Sequence, residues 1–176
     1  LAGVVNLAHG QIAILGAVIV SLLMGAGWAA VPAAIAGILA AGLLLLILDL
    51  TLMRPVYRVH GEHRILLGLL LMLGVGFVVD GYLNWKYPIE SLSLRIGGDP
   101  IPILGVKMST GSLLASAITI VAGLLLATFF RVTTLGRGVR SVIQDEQGAR
   151  LVGINPSTVR SFVFLLSGIL AGLVAV

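Results

Sequence analysis

Residues 31–53 read VPAAIAGILAAGLLLLILDLTLM, with one charge, Asp49, near the end. A helix needs about 20 apolar residues to cross the hydrocarbon core of a bilayer. This run is long enough, and Pro32 stands where a first helical turn tolerates proline. Residues 12–28 carry no charge and lead into it through a tight Ala/Val/Pro turn. Residues 65–83 form a third apolar run with Asp80 near its end, 112–130 a fourth with no charge, and 162–176 a fifth. Lipid satisfies no backbone polar group, so such runs are expected as helices. The reading is an all-α, polytopic transmembrane helix bundle forming a single domain over 1–176.

Composition agrees. Hydrophobic residues make up 59% of the chain and charged residues 10%, where a soluble domain carries roughly 25% charged residues. The chain has no cysteine, which removes disulfides and thiolate metal sites. Three histidines, His9, His60 and His63, do not make a metal site, and none is expected. A net charge of +4 in such a chain reflects basic loops rather than nucleic-acid binding. The sequence opens at Leu1 inside one apolar stretch and closes at Val176 inside another. It is expected to be a piece of a longer subunit, cut at both ends.

The linkers orient the spans. Segment 54–64 holds Arg54, Arg58 and Arg64, and segment 131–161 holds Arg131, Arg137, Arg140, Arg150 and Arg160. Segment 84–111 holds only Lys86, Arg95 and Lys107. The positive-inside rule places the first two in the cytoplasm and 84–111 outside. In that outer loop Trp85 and Tyr87 suit an interfacial belt, and GGDPIPILG signals turns around a short hairpin. Glycines such as Gly68, Gly74 and Gly76 recur inside the spans, and Gly168 and Gly172 make a formal GxxxG. Ordinary close helix packing accounts for that spacing.

Three places invite a mechanism. In LGRGVRSVIQDEQGARLVGI (135–154), Leu135, Val139, Val142, Ile143, Ala149 and Val152 fall near one helical face. Arg137, Arg140, Gln144, Asp145 and Arg150 lie off it, and Gly153 suits a helix stop before Asn155 and Pro156. An amphipathic helix near 136–152 either rests on the lipid surface or docks into a groove of a soluble partner. Second, Asn6, His9, Gly10 and Gln11 interrupt an uncharged apolar stretch. They form either a turn or a discontinuous helix beside a translocation path. Third are the membrane acids. Asp49 reads as a snorkelling acid paired with Arg54 or the interface, whereas Asp80, near Tyr82, Asn84 and Lys86, is a candidate ion or substrate site. No GxxxxGK[ST] occurs, so any ATP would be bound by another polypeptide.

At these residues the chain resembles the permeases of branched-chain amino-acid ABC importers. The resemblance rests on VVNLAHGQIAILGA (4–17), on the Arg54-Pro55-Val56 step after Asp49, and most of all on residues 133–176. It runs in order along nearly the whole chain, loosening at about 88–110. The second motif is shared with sugar and nucleoside permeases. The first points to the amino-acid branch, which includes urea and amide permeases. The resemblance implies two cytoplasmic ATPase subunits, a second permease subunit and an extracytoplasmic solute-binding protein, in a bacterial inner membrane. It implies that Arg137, Asp145, Glu146, Ala149 and Gly153 belong to a coupling helix resting on the ATPase. Asn6, His9 and Gly10 would line the translocation path. Gly148 departs from the family's alanine or larger residue and is expected to loosen the helix. Two rivals remain: a secondary transporter using Asp80, and a scaffold that moves nothing. Dependence of uptake on ATP separates the first, and loss of uptake on deletion excludes the second.

Overall fold

Glycine turns and one proline set the ends and bends of the helices. The computed structural model describes residues 7–59, 61–87, 101–103, 106–108 and 110–175. Asn6 and His60 lie outside the described residues. Helix α1 (His9–Gly25) ends where Trp28 N–H reaches Leu23 O at 3.0 Å and Gly27 N–H reaches Met24 O at 3.0 Å. This closure needs a left-handed residue, and Gly27 supplies it at φ 91°.

Helix α2 (Ala30–Leu48) runs on through a π-helical turn, Asp49–Met53, into the short α3 (Arg54–Val56). Pro55 explains the widened turn. It offers no N–H, and its ring presses on the carbonyl of Thr51, four residues back. Thr51 Oγ1 in turn donates to Ile47 O at 2.7 Å. The sequence reading ends this span at Met53, but the apolar helix continues to Val56.

Helix α4 (Glu62–Lys86) follows. The two-stranded antiparallel hairpin β1 (Ile101–Ile103) and β2 (Val106–Met108) pairs Pro102 with Lys107. The remainder of the expected outer loop, 88–100, 104, 105 and 109, lies outside the described residues. Helices α5 (Thr110–Val132), α6 (Thr134–Gln144), α7 (Glu146–Leu151) and α8 (Pro156–Ala175) complete the chain.

Four helical lengths could cross a membrane: Ala30–Val56, His63–Lys86, Ala115–Val132 and Pro156–Val174. The first run of the sequence reading becomes α1, a shorter helix of 17 residues, at the low end of what a bilayer requires.

The densest packing joins α1, α2 and α8. Apolar side chains gain little by leaving lipid for one another, so close van der Waals contact must supply the association. A Cβ on Gly168 would stand 2.5 Å from Ala41 O and 2.7 Å from Gly42 Cα. One on Gly172 would stand 2.7 Å from Ile38 Cα. The glycine pair therefore lets α8 touch the backbone of α2. Ile12, Ala41, Leu45, Met53, Met72, Phe164 and Ala171 fill the core around it. Helix α4 lies on α1, with Gly76 against Gln11, whereas Gly74 has open space. On α5, Ile120, Val121, Leu124 and Leu125 are exposed.

Candidate functional site

The two basic linkers meet at one end of the bundle. Thr133 starts the turn there. Its hydroxyl donates to Phe129 O at 2.7 Å and accepts from Gly136 N–H at 3.0 Å, capping α6. Val139 and Val142 on α6 are buried, while Arg137 and Arg140 are exposed.

The single helix expected over 136–152 breaks into two at Asp145, whose backbone is extended at φ −150°, ψ 104°. The carboxylate of Asp145 accepts from Gln147 N–H at 2.9 Å and caps α7. That bond competes with continuing the helix through this residue. A Cβ on Gly148 would meet Asp145 Cγ at 3.0 Å, so this glycine makes room for the cap rather than merely loosening a helix. Helix α7 closes like α1: Ile154 N–H reaches Ala149 O at 2.9 Å, Gly153 N–H reaches Arg150 O at 3.1 Å, and Gly153 has φ 83°.

The break also splits the expected apolar ridge. Val139, Val142 and Ala149 face the protein, but Leu135, Ile143 and Val152 do not. Helical spacing counted through Asp145 fails once that residue is extended. Leu151, 89% exposed, and Val152, 74% exposed, form an apolar tip beside Gly153. Arg150, Gly153, Ile154, Asn155, Pro156, Ser157 and Arg160 line an open cleft next to it.

Beneath the tip lies a polar network that crosses elements. Glu146 accepts from Arg150 at 2.9 Å, from Arg160 at 3.1 Å and from Arg64 at 3.1 Å. Burial opposes its charge, but the hydrogen bonds from Arg160 and then Arg64 outweigh that cost and hold its carboxyl down to about 2. The Arg160 guanidinium lies 4.2 Å above the ring of Tyr57. The Tyr57 hydroxyl donates to Asp49 Oδ1 at 2.8 Å, and Ser161 donates to Asp49 Oδ2. Burial, reinforced by Asp49, pushes the Tyr57 hydroxyl above its usual value, so it remains a donor.

Asp49 therefore corrects the sequence reading. It is buried, 1% exposed, and its partners are Tyr57 and Ser161, while Arg54 is exposed. The π-turn places both Asp49 and Met53 inward. Tyr57, Arg64, Arg160 and Ser161 were not singled out from sequence. Arg160 carried a usable signal, since a cation near the start of an apolar helix is costly unless it has a partner.

The polar break is placed elsewhere. His9 opens α1, with its Nδ1 3.3 Å from Ser167 Oγ, near the middle of α8. Gly10 is exposed, with open space at its Cα. Asp80 is exposed on α4, and its carboxylate accepts from Asn84 Nδ2 at 3.1 Å. His9 and Asp80 are not brought together with the Glu146 network.

The whole chain, residues 1–176, matches a family described as the permease component of branched-chain amino acid transport systems. It is 22% identical over 188 aligned positions to the high-affinity branched-chain amino acid transport system permease protein LivH of Escherichia coli (strain K12). It is 24% identical to the LivH protein of Salmonella typhimurium (strain LT2). Each alignment covers 99% of this chain and 60% of the relative, so the chain spans well under two thirds of the length of these relatives. No solved structure matches. With its apolar helices and a match along its full length, the chain belongs to the branched-chain amino acid transport permease family.

Proposed function

We propose that this chain is the membrane-crossing part of a permease subunit in an ATP-driven bacterial importer of branched-chain or related amino acids. Solute arrives from an extracytoplasmic binding protein. The basic end faces the cytoplasm, where positive loops are retained. There the turn formed by α6 and α7 seats on an ATPase subunit. A second permease subunit completes the pathway, which opens to one side at a time as helix groups rock.

The observation that carries this reading is the apolar tip of Leu151 and Val152. It stands outside the apolar helices, where neither lipid nor the rest of the chain covers it. Large exposed apolar residues at a turn are the anchors a soluble partner buries. Arg137 and Arg150 on the same segment are exposed and offer charged contacts around such a seat. His9, against Ser167, belongs beside the pathway, together with Asn6 and Gly10.

The test is to purify the intact subunit with its ATPase and assay ATP hydrolysis. Leu151→Asp with Val152→Asp is expected to release the ATPase while the subunit still inserts. Retention of the ATPase would move the seat elsewhere. An intact subunit that binds no ATPase, with uptake following an ion gradient, would replace the importer reading and turn attention to Asp80.

A further inference from the structure

Contacts at the basic end run sideways from helix to helix, and one residue gathers them. Glu146 holds arginines from α4, α7 and α8 at once. Those arginines differ in depth: the side chain of Arg150 is 62% exposed, that of Arg64 24% and that of Arg160 5%. Only Arg160 continues inward, onto Tyr57 and so to Asp49. Ser161, the next residue on α8, closes the path by donating to the same carboxylate.

This is a poor way to obtain stability. Burying ions costs several kcal/mol each, and apolar side chains of similar volume often hold a protein as well or better. Arg160 is not even fully satisfied, since its Nε is buried without a partner among the described residues. What the arrangement supplies is position. It fixes the α6–α7 turn against two helices that otherwise meet it only at their ends. Its inner end is the π-turn, where the regular α-helical ladder is interrupted and the helix is easiest to deform.

Building on the importer reading, we infer that Glu146 is the joint tying the ATPase-facing turn to the spans. Arg160 and Tyr57 relay its position to Asp49. A push on α6 and α7 then moves the basic ends of α2 and α8 together. These are positioning residues and touch neither ATP nor solute.

The test uses the intact complex, with its ATPase and binding protein, in vesicles. Solute uptake and ATP hydrolysis are measured together. Tyr57→Phe keeps the ring beneath Arg160 and removes only the hydroxyl. Glu146→Gln keeps the shape and removes the charge. Each is expected to lower solute moved per ATP about tenfold, the size of an ordinary coupling between sites, with the ATPase still bound. The double variant should be no worse than Glu146→Gln, because residues in one network are not additive. Glu146→Asp should recover part of the ratio, which loss of general packing would not permit. A normal ratio in Tyr57→Phe overturns the inference, and so do additive losses in the double variant. Release of the ATPase by Glu146→Gln would make that residue a docking contact and overturn it as well. If Glu146→Gln does not assemble, Tyr57→Phe alone decides. A wild-type subunit that binds no ATPase sinks the importer reading and this inference together. Intact wild-type coupling with an unaffected Tyr57→Phe sinks only the inference.

Discussion

The contact between α2 and α8 changes character along its length. In the apolar middle it is made by what is missing: Gly168 and Gly172 carry no side chain, and α8 rests on the backbone of Ile38, Ala41 and Gly42. At the basic end it is made by charge and hydroxyl groups, with Ser161 on Asp49 and Arg160 over Tyr57. The first contact has one geometry and no slack, because backbone atoms cannot step aside. The second is built from long side chains that can exchange partners. The same helix pair is thus fixed at one point and adjustable at another, which suits a lever better than a uniform seam would.

The comparison breaks first at its rigid half. Gly168→Leu is expected to have the largest effect, about 3 kcal/mol or more, as overpacking against backbone has no cheap relief. Loss of a monodisperse subunit in detergent, or a steep fall in melting temperature, would show it. Near-normal melting would mean the helices can part, and the contrast would fail. Gly153→Val comes next. A side chain forced to φ 83° costs about 1–2 kcal/mol. Faster hydrogen exchange at the α7–α8 turn, with the glycine seam unchanged, would confirm that the two ends are independent.

Asp145→Ala is smaller, at about 1 kcal/mol for a lost N-cap. It should speed exchange in α7 alone. Acid should have the least effect, and at one end only. Glu146, held down to about 2 from an ordinary 4.5, contributes stability that is present above 4.5 and lost as pH falls toward 2. Melting should therefore be flat in this respect from neutral pH to about 5 and decline below the ordinary carboxylate range. Glu146→Gln should remove that part of the decline. A decline of the same size in both proteins would assign it to other carboxylates.

Much of the fold was legible because the bilayer reduces it to length and polarity. A run such as 31–53 has few alternatives to a helix, and the motifs around 4–17 and 133–176 were enough to point to the family. The candidate site was harder, for identifiable reasons. Asp49 stands five residues from Arg54, and local reading pairs them. Its partner Ser161 is 112 positions away, and the turn that aims it inward depends on Pro55. Asp145 has the chemistry of either an exposed helical acid or a cap. Only its backbone decides, and that choice reverses the facing of Leu135, Ile143 and Val152. Gly153 announced its turn, because few other residues tolerate that conformation. His9 and Ser167 are 158 positions apart, beyond any local pattern.

The π-turn has one more consequence, for register. A π-helical turn holds about one residue more than an α-helical one, and each residue of an α-helix advances roughly 100°. Deleting a single residue within 49–53 would let the turn close as an ordinary helix and rotate everything after it by that angle. Tyr57 would swing away from Asp49 while every apolar run kept its composition. A homologue one residue shorter at this place would thus look like the same membrane protein and be wired differently at its basic end.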